Sequence, residues 1–185
     1  MVDTYGNPVG GATVTFTAPT SGASGTFAGG VNTAKVNAQG VATAAVFTAN
    51  KVAGTYTVTA KAGTVTTSPG FALTNQAGAA AAIAATAGTP QSTPINTAFA
   101  TNLAATVTDT FGNPVSGATV TFTAPASGAS GTFTGGSNTT KATTDATGLA
   151  TAPAFTANGT TGAYTVTATV GTITTSPDFS LTNTN

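Results

Sequence analysis

The sequence lacks the residue types on which most enzymes and metal sites depend. Its 185 residues include no Cys, His or Trp, and four Lys and four Asp are its only charged side chains, so Arg and Glu are absent too. Zinc sites need Cys or His, and a Ser or Thr nucleophile needs a base to take its proton. We therefore expect no enzyme, no catalytic residue, no metal and no cofactor. The remaining alternative is a pair of carboxylates of the kind that glycosidases use, Asp145 and Asp178. The first half of the chain repeats much of the second, as described below, and there the equivalent residues are Gln39 and Gly70, which are not acidic.

The low charge restricts the partners as well. Charged residues make up 4% of the chain, against about 25% in an ordinary soluble domain. Four scattered lysines cannot build the basic face that nucleic acid or an anionic membrane requires. The most apolar stretch, residues 77–88, is too short to span a bilayer. We expect no nucleic-acid partner and no membrane insertion, and an uncharged surface of this kind favours association with neighbouring copies.

A long internal repeat organises the chain. Residues 3–30 and 109–136 are identical at all but four of 28 paired positions. Self-similarity at a fixed period indicates an array of equivalent structural units. We therefore expect a first repeat at 1–76 and a second at 77–185, in which 77–102 supplies the first strand and a linker region.

The local pattern predicts β-strands throughout. The stretch "GATVTFTAP" alternates Ala118, Val120, Phe122 and Ala124 with Thr, so that one face meets a core while the other meets water. Thr and Val are β-branched and favour the pleated surface of a sheet. Short alternating runs separated by Gly, Asn and Pro are typical of antiparallel sandwiches. The predicted fold class is all-β, with two tandem antiparallel β-sandwiches.

The segment 77–102 precedes only the second copy. Its alanine run favours a helix, but it is short and flanked by glycines. A first strand with an irregular second half, kinked at "TPQSTP", is the preferred interpretation, and a short helix or open linker is the alternative. The first copy lacks about thirty residues of this kind, so its N-terminal strand is missing. Either earlier residues of a longer polypeptide complete it, or another subunit donates a strand to the exposed sheet edge.

Each copy contains a "GNP" turn that follows an aspartate. Gly112 can adopt a positive φ, and the ring of Pro114 fixes its own φ. The carboxylates of Asp3 and Asp109 are placed to accept backbone N–H bonds of the turn. A calcium site made of oxygen ligands around Asp109 is the alternative, since calcium prefers such ligands.

These motifs resemble the bacterial immunoglobulin-like repeats of the invasin and intimin type. The matching stretches are "VTDTFGNPVSGATVTFTAP", "TDATGLATAPAFTA", and "YTVTA" ahead of "FSLTN". The resemblance implies immunoglobulin-like sandwiches that are stacked end to end and hold a binding tip away from the cell. It implies a structural module of an extracellular surface adhesin stalk or of a self-assembling filament, joined to neighbouring copies by strand donation. A module that binds a receptor or polysaccharide is the alternative, and any export signal lies outside this chain.

Within that fold, Tyr56 and Tyr164 resemble the tyrosine corner of immunoglobulin-like sandwiches. Their place at the start of "YTVTA" predicts a ring in the core and a hydroxyl bonded to a nearby backbone carbonyl. Phe122 and Phe155, which recur at the same spacing in the first copy, are expected in the core. All of these residues are given structural roles.

Overall fold

The structure, a computed structural model, describes residues 1–67, 70–175 and 178–185. These residues form eighteen β-strands and one 3-10 turn, with no α-helix among them, so the predicted all-β class is confirmed. They divide into two compact units, Met1–Gln76 and Ala77–Asn185, which we call unit 1 and unit 2. Within the described ranges, no helix has the length and apolar character needed to cross a bilayer.

Unit 1 is built from seven strands. They are β1 (Thr13–Thr17), β2 (Gly25–Phe27), β3 (Thr33–Lys35), β4 (Phe47–Ala49), β5 (Gly54–Ala62), β6 (Val65–Thr66) and β7 (Phe71–Asn75). One sheet has the order β3–β1–β5–β6, with β7 also paired to β5, and β2 pairs with β4. The rings of Phe16 and Phe27 lie 6.1 Å apart, so the β2–β4 ribbon packs on the sheet.

Unit 2 is built from eleven strands. They are β8 (Ala82–Ala87), β9 (Gln91–Pro94), β10 (Ala104–Thr108), β11 (Thr119–Thr123), β12 (Gly131–Phe133), β13 (Thr139–Thr143), β14 (Leu149–Thr151), β15 (Phe155–Ala157), β16 (Gly162–Val170), β17 (Ile173–Thr174) and β18 (Phe179–Thr184). One layer has the order β13–β11–β16–β18–β9, with β17 on β16. The other layer consists of β14–β10–β8 and the ribbon β12–β15.

The strands form because their apolar residues alternate with threonine. In β11, Val120 and Phe122 are fully buried, while Thr119 and Thr123 are exposed on the opposite face. Phe122 lies opposite Ala168 of β16 in the antiparallel register. One face of the sheet therefore supplies the core, and the other face presents hydroxyl groups to water.

The segment that precedes the second copy passes from one layer to the other. Strand β8 pairs with β10 in antiparallel fashion, with Ile83 opposite Val107. After a cis peptide bond between Thr89 and Pro90, strand β9 pairs with β18 in parallel, with Gln91 opposite Leu181. The structure thus has two half-strands and an intervening kink here, rather than a helix.

The two units differ in the completeness of their cores. The described residues of unit 2 include a cluster of eighteen buried apolar residues, whereas the corresponding cluster of unit 1 has five. The same aromatic rings are present in both: Phe133 and Phe155 have centroids 4.7 Å apart, as do Phe27 and Phe47. Full burial of one large apolar side chain stabilises a fold by about 1.5–3 kcal/mol. Unit 1 is therefore expected to be the less stable unit.

Phe155 and Phe47 occupy equivalent positions and form a matched pair for testing this difference. Phe155→Ala is expected to lower the free energy of unfolding of unit 2 by about 3–5 kcal/mol, because a fully buried ring leaves a cavity. Phe47→Ala should cost unit 1 less, because its ring is only partly buried. Hydrogen-exchange mass spectrometry in urea would follow the peptides of each unit separately. Equal losses in the two units would contradict the expectation.

Candidate functional site

The first candidate is the aspartate that holds the "GNP" turn of unit 2. Asp109 is buried. Its Oδ1 accepts hydrogen bonds from the backbone N–H groups of Phe111 (2.8 Å) and Asn113 (2.9 Å). Its Oδ2 accepts from the backbone N–H of Gly78 (2.9 Å) and from Nδ2 of Asn113 (2.9 Å). Gly112 has a φ of +81°, and its N–H donates to the carbonyl of Asp109 over 3.1 Å.

These donors determine what Asp109 can do. The Asn113 side chain, and next the backbone N–H of Gly78, lower the pKa of the Asp109 carboxyl to about 2. Both carboxylate oxygens face N–H donors, whereas a calcium ion would need those oxygens for itself. The geometry therefore favours a turn-capping role over calcium binding.

The equivalent turn of unit 1 repeats most of this arrangement. Oδ1 of Asp3 accepts from the backbone N–H groups of Tyr5 (2.8 Å) and Asn7 (2.9 Å), and the Asn7 side chain is the main cause of the lowered pKa of Asp3. Pro114 forms a bridge to Thr108 in unit 2, as Pro8 does to Val2 in unit 1. Asp3 is exposed, and the segment that contains Gly78 has no counterpart in unit 1.

A second repeated feature is a buried asparagine that joins four chain segments. In unit 2, the Tyr164 hydroxyl donates to Oδ1 of Asn183 over 3.0 Å. Nδ2 of Asn183 donates to the carbonyls of Ser130 (2.8 Å) and Thr160 (3.0 Å) and to Oδ1 of Asn158 (3.1 Å). Burial raises the pKa of the Tyr164 hydroxyl to about 12. We call this arrangement the asparagine lock.

Unit 1 contains the same lock. In both units the partner of the tyrosine hydroxyl differs from the one expected from the sequence. The Tyr56 hydroxyl donates to Oδ1 of Asn75 over 3.0 Å, while Nδ2 of Asn75 donates to the carbonyl of Ser24 over 2.8 Å. The acceptor is therefore an amide side chain, not the backbone carbonyl expected for Tyr56 and Tyr164. A buried amide can accept from the tyrosine and donate to carbonyls at once. Its signal in the sequence is the shared "LTN", with Asn at an inward-facing place of the alternation.

The core aromatic residues of unit 2 pack against one another, and one of them lies beside the tyrosine of the lock. Phe122 and Phe155 are buried in unit 2. The Phe155 ring lies 4.7 Å from Phe133 and stacks on Phe99 at 5.8 Å. It also approaches Tyr164 at 6.5 Å. These rings form a packed core rather than a platform for a ligand.

The remaining carboxylates each belong to a local turn. Oδ1 of Asp145 accepts from N–H and Oγ1 of Thr147, and these bonds lower its pKa. Asp178 accepts a 2.7 Å bond from Oγ1 of Thr175. The equivalent turn of unit 1 is made by Asn37, whose Oδ1 accepts the N–H of Gln39 over 3.0 Å. The counterpart of Asp145 is therefore Asn37, and the sequence-based assignment to Gln39 is wrong. In the part of the chain that the structure describes, no three His, Cys, Asp or Glu side chains cluster.

Unit 1 also has an apolar groove, which we call the open groove. It is lined by Phe16, Phe27, Phe47, Val58, Phe71 and Leu73. Its volume is about 320 Å³, and Phe71 and Leu73 leave 49% and 37% of their surfaces exposed. The apolar surface continues into a second hollow of about 230 Å³ beside Met1 and Val65. A continuous exposed apolar surface, unlike a single exposed residue, marks a site of interaction.

Backbone edges border the open groove. Among the described strands, β4 pairs only with β2, and β7 pairs only with β5. The other edge of each strand has no partner among the described strands, and side chains of both strands line the groove. An unpaired edge beside an apolar surface is a template for an added strand.

Solved structures share this architecture, whereas no family model and no curated protein matches the chain. The chain is similar to the broadly conserved Escherichia coli adhesin FdeC, with 20% identity and a TM-score of 0.56 over 98% of this chain and 55% of that one. It is also similar to Yersinia pseudotuberculosis InvD, with 22% identity and a TM-score of 0.57 over 100% of this chain and 50% of that one. Invasin, a bacterial integrin-binding protein, matches at 25% identity and a TM-score of 0.44, over 100% of this chain and 34% of its own.

The folds of FdeC and InvD confirm the predicted immunoglobulin-like class and agree with the resemblance found in the sequence. At 20% and 22% identity, the likeness to FdeC and InvD is one of fold. The chain spans about half the length of these two structures.

The asparagine lock can be tested by removing its central amide. Asn183→Ala leaves the Tyr164 hydroxyl and the carbonyls of Ser130 and Thr160 without their partner. We expect a loss of about 2–4 kcal/mol in the stability of unit 2, because each buried polar group left unpaired costs roughly 1–3 kcal/mol. Urea unfolding followed by hydrogen exchange would measure it. The exposed neighbour Thr184→Ala is the control, and a similar effect of both substitutions would contradict the lock.

The Asp109 turn predicts a specific pH dependence. The pKa of Asp109 is about 2 in the folded chain, below the value of about 3.9 for an unfolded aspartate. Its contribution to stability is therefore complete above about pH 3.9 and is lost as the pH falls towards 2. Asp109→Asn should flatten the pH dependence of unit 2 in this window and leave unit 1 unchanged. Unfolding measured between pH 2 and 6 would check this, and an unaltered slope would contradict it.

Proposed function

We propose that the chain is a structural repeat module of an extracellular bacterial surface adhesin stalk or filament. Its partners are neighbouring copies of the same repeat. The observation that carries the proposal is that the parts common to both units are all scaffold parts: the capped turn, the asparagine lock and the row of packed rings. A scaffold that is duplicated in this way, as the described residues of both units show, suits a protein that acts through shape and number.

The mechanism of such a module is geometric. The nine-residue strand β16 spans about 30 Å at 3.3 Å per residue. Modules that join in line add a fixed length each, as repeat proteins do. The backbone ladders and the buried rings resist deformation, and the threonine-rich outer faces keep the array hydrated.

The class of protein to which a similar solved structure belongs supports the proposal. FdeC is an adhesin, and the chain covers about half of it, so other parts of a longer protein would carry the contact with a host. The almost uncharged surface also suits the proposal, because few like charges oppose the approach of neighbouring copies. An extracellular or cell-surface location follows from the same proposal.

A second candidate is a module that binds a receptor or polysaccharide through its turns. It is favoured by one observation: the aromatic residue of the "GNP" turn is exposed in both units, 89% at Tyr5 and 57% at Phe111. Paired exposed rings offer a surface on which a sugar can stack. We rank it second because the polar groups repeated beside these rings, the aspartate and asparagine of each turn, are already bonded to one another and to the turn backbone.

Tandem arrays test the leading proposal. One, two and four copies of residues 77–185 would be joined directly and measured by negative-stain electron microscopy and small-angle X-ray scattering. The particle length is expected to rise by a constant ~30–40 Å for each copy, as strands of about ten residues dictate. Compact particles with no constant increment would contradict a stalk or filament module.

The second candidate has its own measurement. The chain and its Tyr5→Ser, Phe111→Ser double variant would be applied to glycan arrays and host cells. The structural proposal predicts no difference between them. Saturable binding that disappears in the double variant would favour the binding module instead.

A further inference from the structure

We propose that the open groove of unit 1 is a receptor for a strand segment from another copy of the repeat. The segment is the equivalent of residues 77–106, and it enters as β8, β9 and the start of β10 do in unit 2. The inference rests on the proposed function, in which neighbouring repeats are partners. It adds the identity of the contacting segment and its register.

The first step is the contrast between equivalent side chains. Phe71 and Leu73 are 49% and 37% exposed in unit 1, whereas their counterparts Phe179 and Leu181 are 0% and 1% exposed in unit 2. These residues sit on matching strands, β7 and β18, which pair in the same way with β5 and β16. Strand β7 is therefore already paired as β18 is, and the two units differ in whether other residues pack over these side chains.

The second step identifies the cover in unit 2. The Phe99 ring stacks on Phe155 at 5.8 Å, and its N–H donates to the Phe155 carbonyl over 2.9 Å. The Leu103 carbonyl accepts the N–H of Ala152 over 2.9 Å. Phe99, Leu103 and Ile83 belong to the same buried cluster as Phe155. All three of these covering side chains come from the segment 77–106.

The third step concerns the backbone edges. In unit 2, β9 pairs with the edge of β18 and β10 pairs with β14. In unit 1, the matching edge of β7 has no partner among the described strands, and the counterpart of β14, residues 41–43, is not a strand. Incoming half-strands would therefore find both of the edges that they use in unit 2.

The fourth step fixes the register. Unit 1 holds Met1 in the place of Val107: Val9 N–H donates to the Met1 carbonyl over 3.2 Å, as Val115 does to Val107 over 3.0 Å. The Met1 amino group donates to the Gly40 carbonyl, in the manner of Val107 to Gly148. Because Met1 already makes the bonds of Val107, a donated segment fits only as far as the equivalent of residue 106.

The stoichiometry restricts the source of the segment. Residues 1–185 contain two units and one segment of this type, and that segment is built into unit 2. Exchange of 77–106 between two such chains would fill one groove and open another. The occupant that we propose is therefore a further copy of the segment, supplied by a neighbouring repeat.

A synthetic peptide of residues 77–106 added to the full chain tests the proposal. We expect saturable one-to-one binding by calorimetry and slower hydrogen exchange in β4 and β7, with unit 2 unchanged. A matched peptide with Phe99→Asp and Leu103→Asp should bind at least ten-fold more weakly, because charged groups would enter the apolar groove. Equal binding of the two peptides, or protection confined to unit 2, would overturn the proposal.

A covalent version separates failure of this inference from failure of the proposed function. In it, a second copy of residues 77–106 is fused directly before Met1. It should bind the free peptide at least ten-fold more weakly than the original chain does, because its groove is already filled. If the fused chain closes unit 1 but the original chain ignores the peptide, the receptor for a separate strand is overturned. If neither closes the groove, strand filling itself is overturned, whereas the array-length measurement judges the proposed function independently.

Discussion

The packing of a short row of phenylalanine rings between two sheet layers is the interaction on which the rest of the structure depends. Phe122, Phe133, Phe155 and Phe179 are buried together in unit 2 because strands cover both sides of the row. Unit 1 has the equivalent rings and much the same ring contacts, but its described residues contain no counterpart of β8 or β9 and only the end of one of β10. The sheet therefore forms in both units. Its apolar face is buried where the segment 77–106 packs over it and is open to a partner where that segment is missing.

Hydrogen bonds from a few buried polar side chains, most of them uncharged, hold the loops of this fold in place. The asparagine lock ties β18 to the loops at Ser130 and Thr160, and the Asp109 turn ties the start of unit 2 to the end of β10. Among the described residues, no buried side-chain nitrogen or oxygen lacks a partner. A chain with 4% charged residues can therefore still specify its loops, because each buried polar group has one well-defined set of neighbours.

The sequence predicted what depends on local pattern. Alternation of threonine with apolar residues predicted the strands, and the spacing of the copies predicted which residues are equivalent. The role of Asn183 could not be predicted in this way, because its partner Ser130 lies 53 residues away and becomes a neighbour only when the layers pack. The same holds for the acceptor of Tyr164, and for the open groove, whose residues come from β1, β2, β4, β5 and β7. The prolines of the sequence predicted the kink after β8. They could not show that β8 and β9 join different layers, because that depends on pairing with the distant strands β10 and β18.

The parallel pairing of β9 with β18 has a mechanical consequence. Gln91 to Pro94 run alongside Leu181 to Thr184, so one strand leads towards the start of unit 2 and the other towards its end. Tension that acts between the start of β9 and the end of β18 would pull these strands past each other and load their hydrogen bonds together, in shear. Bonds that share a load must break at once, whereas bonds at the tip of a hairpin open one at a time. Unit 2, which has this parallel pair, is therefore expected to unfold at a higher force than unit 1, in which β7 has no such partner among the described strands.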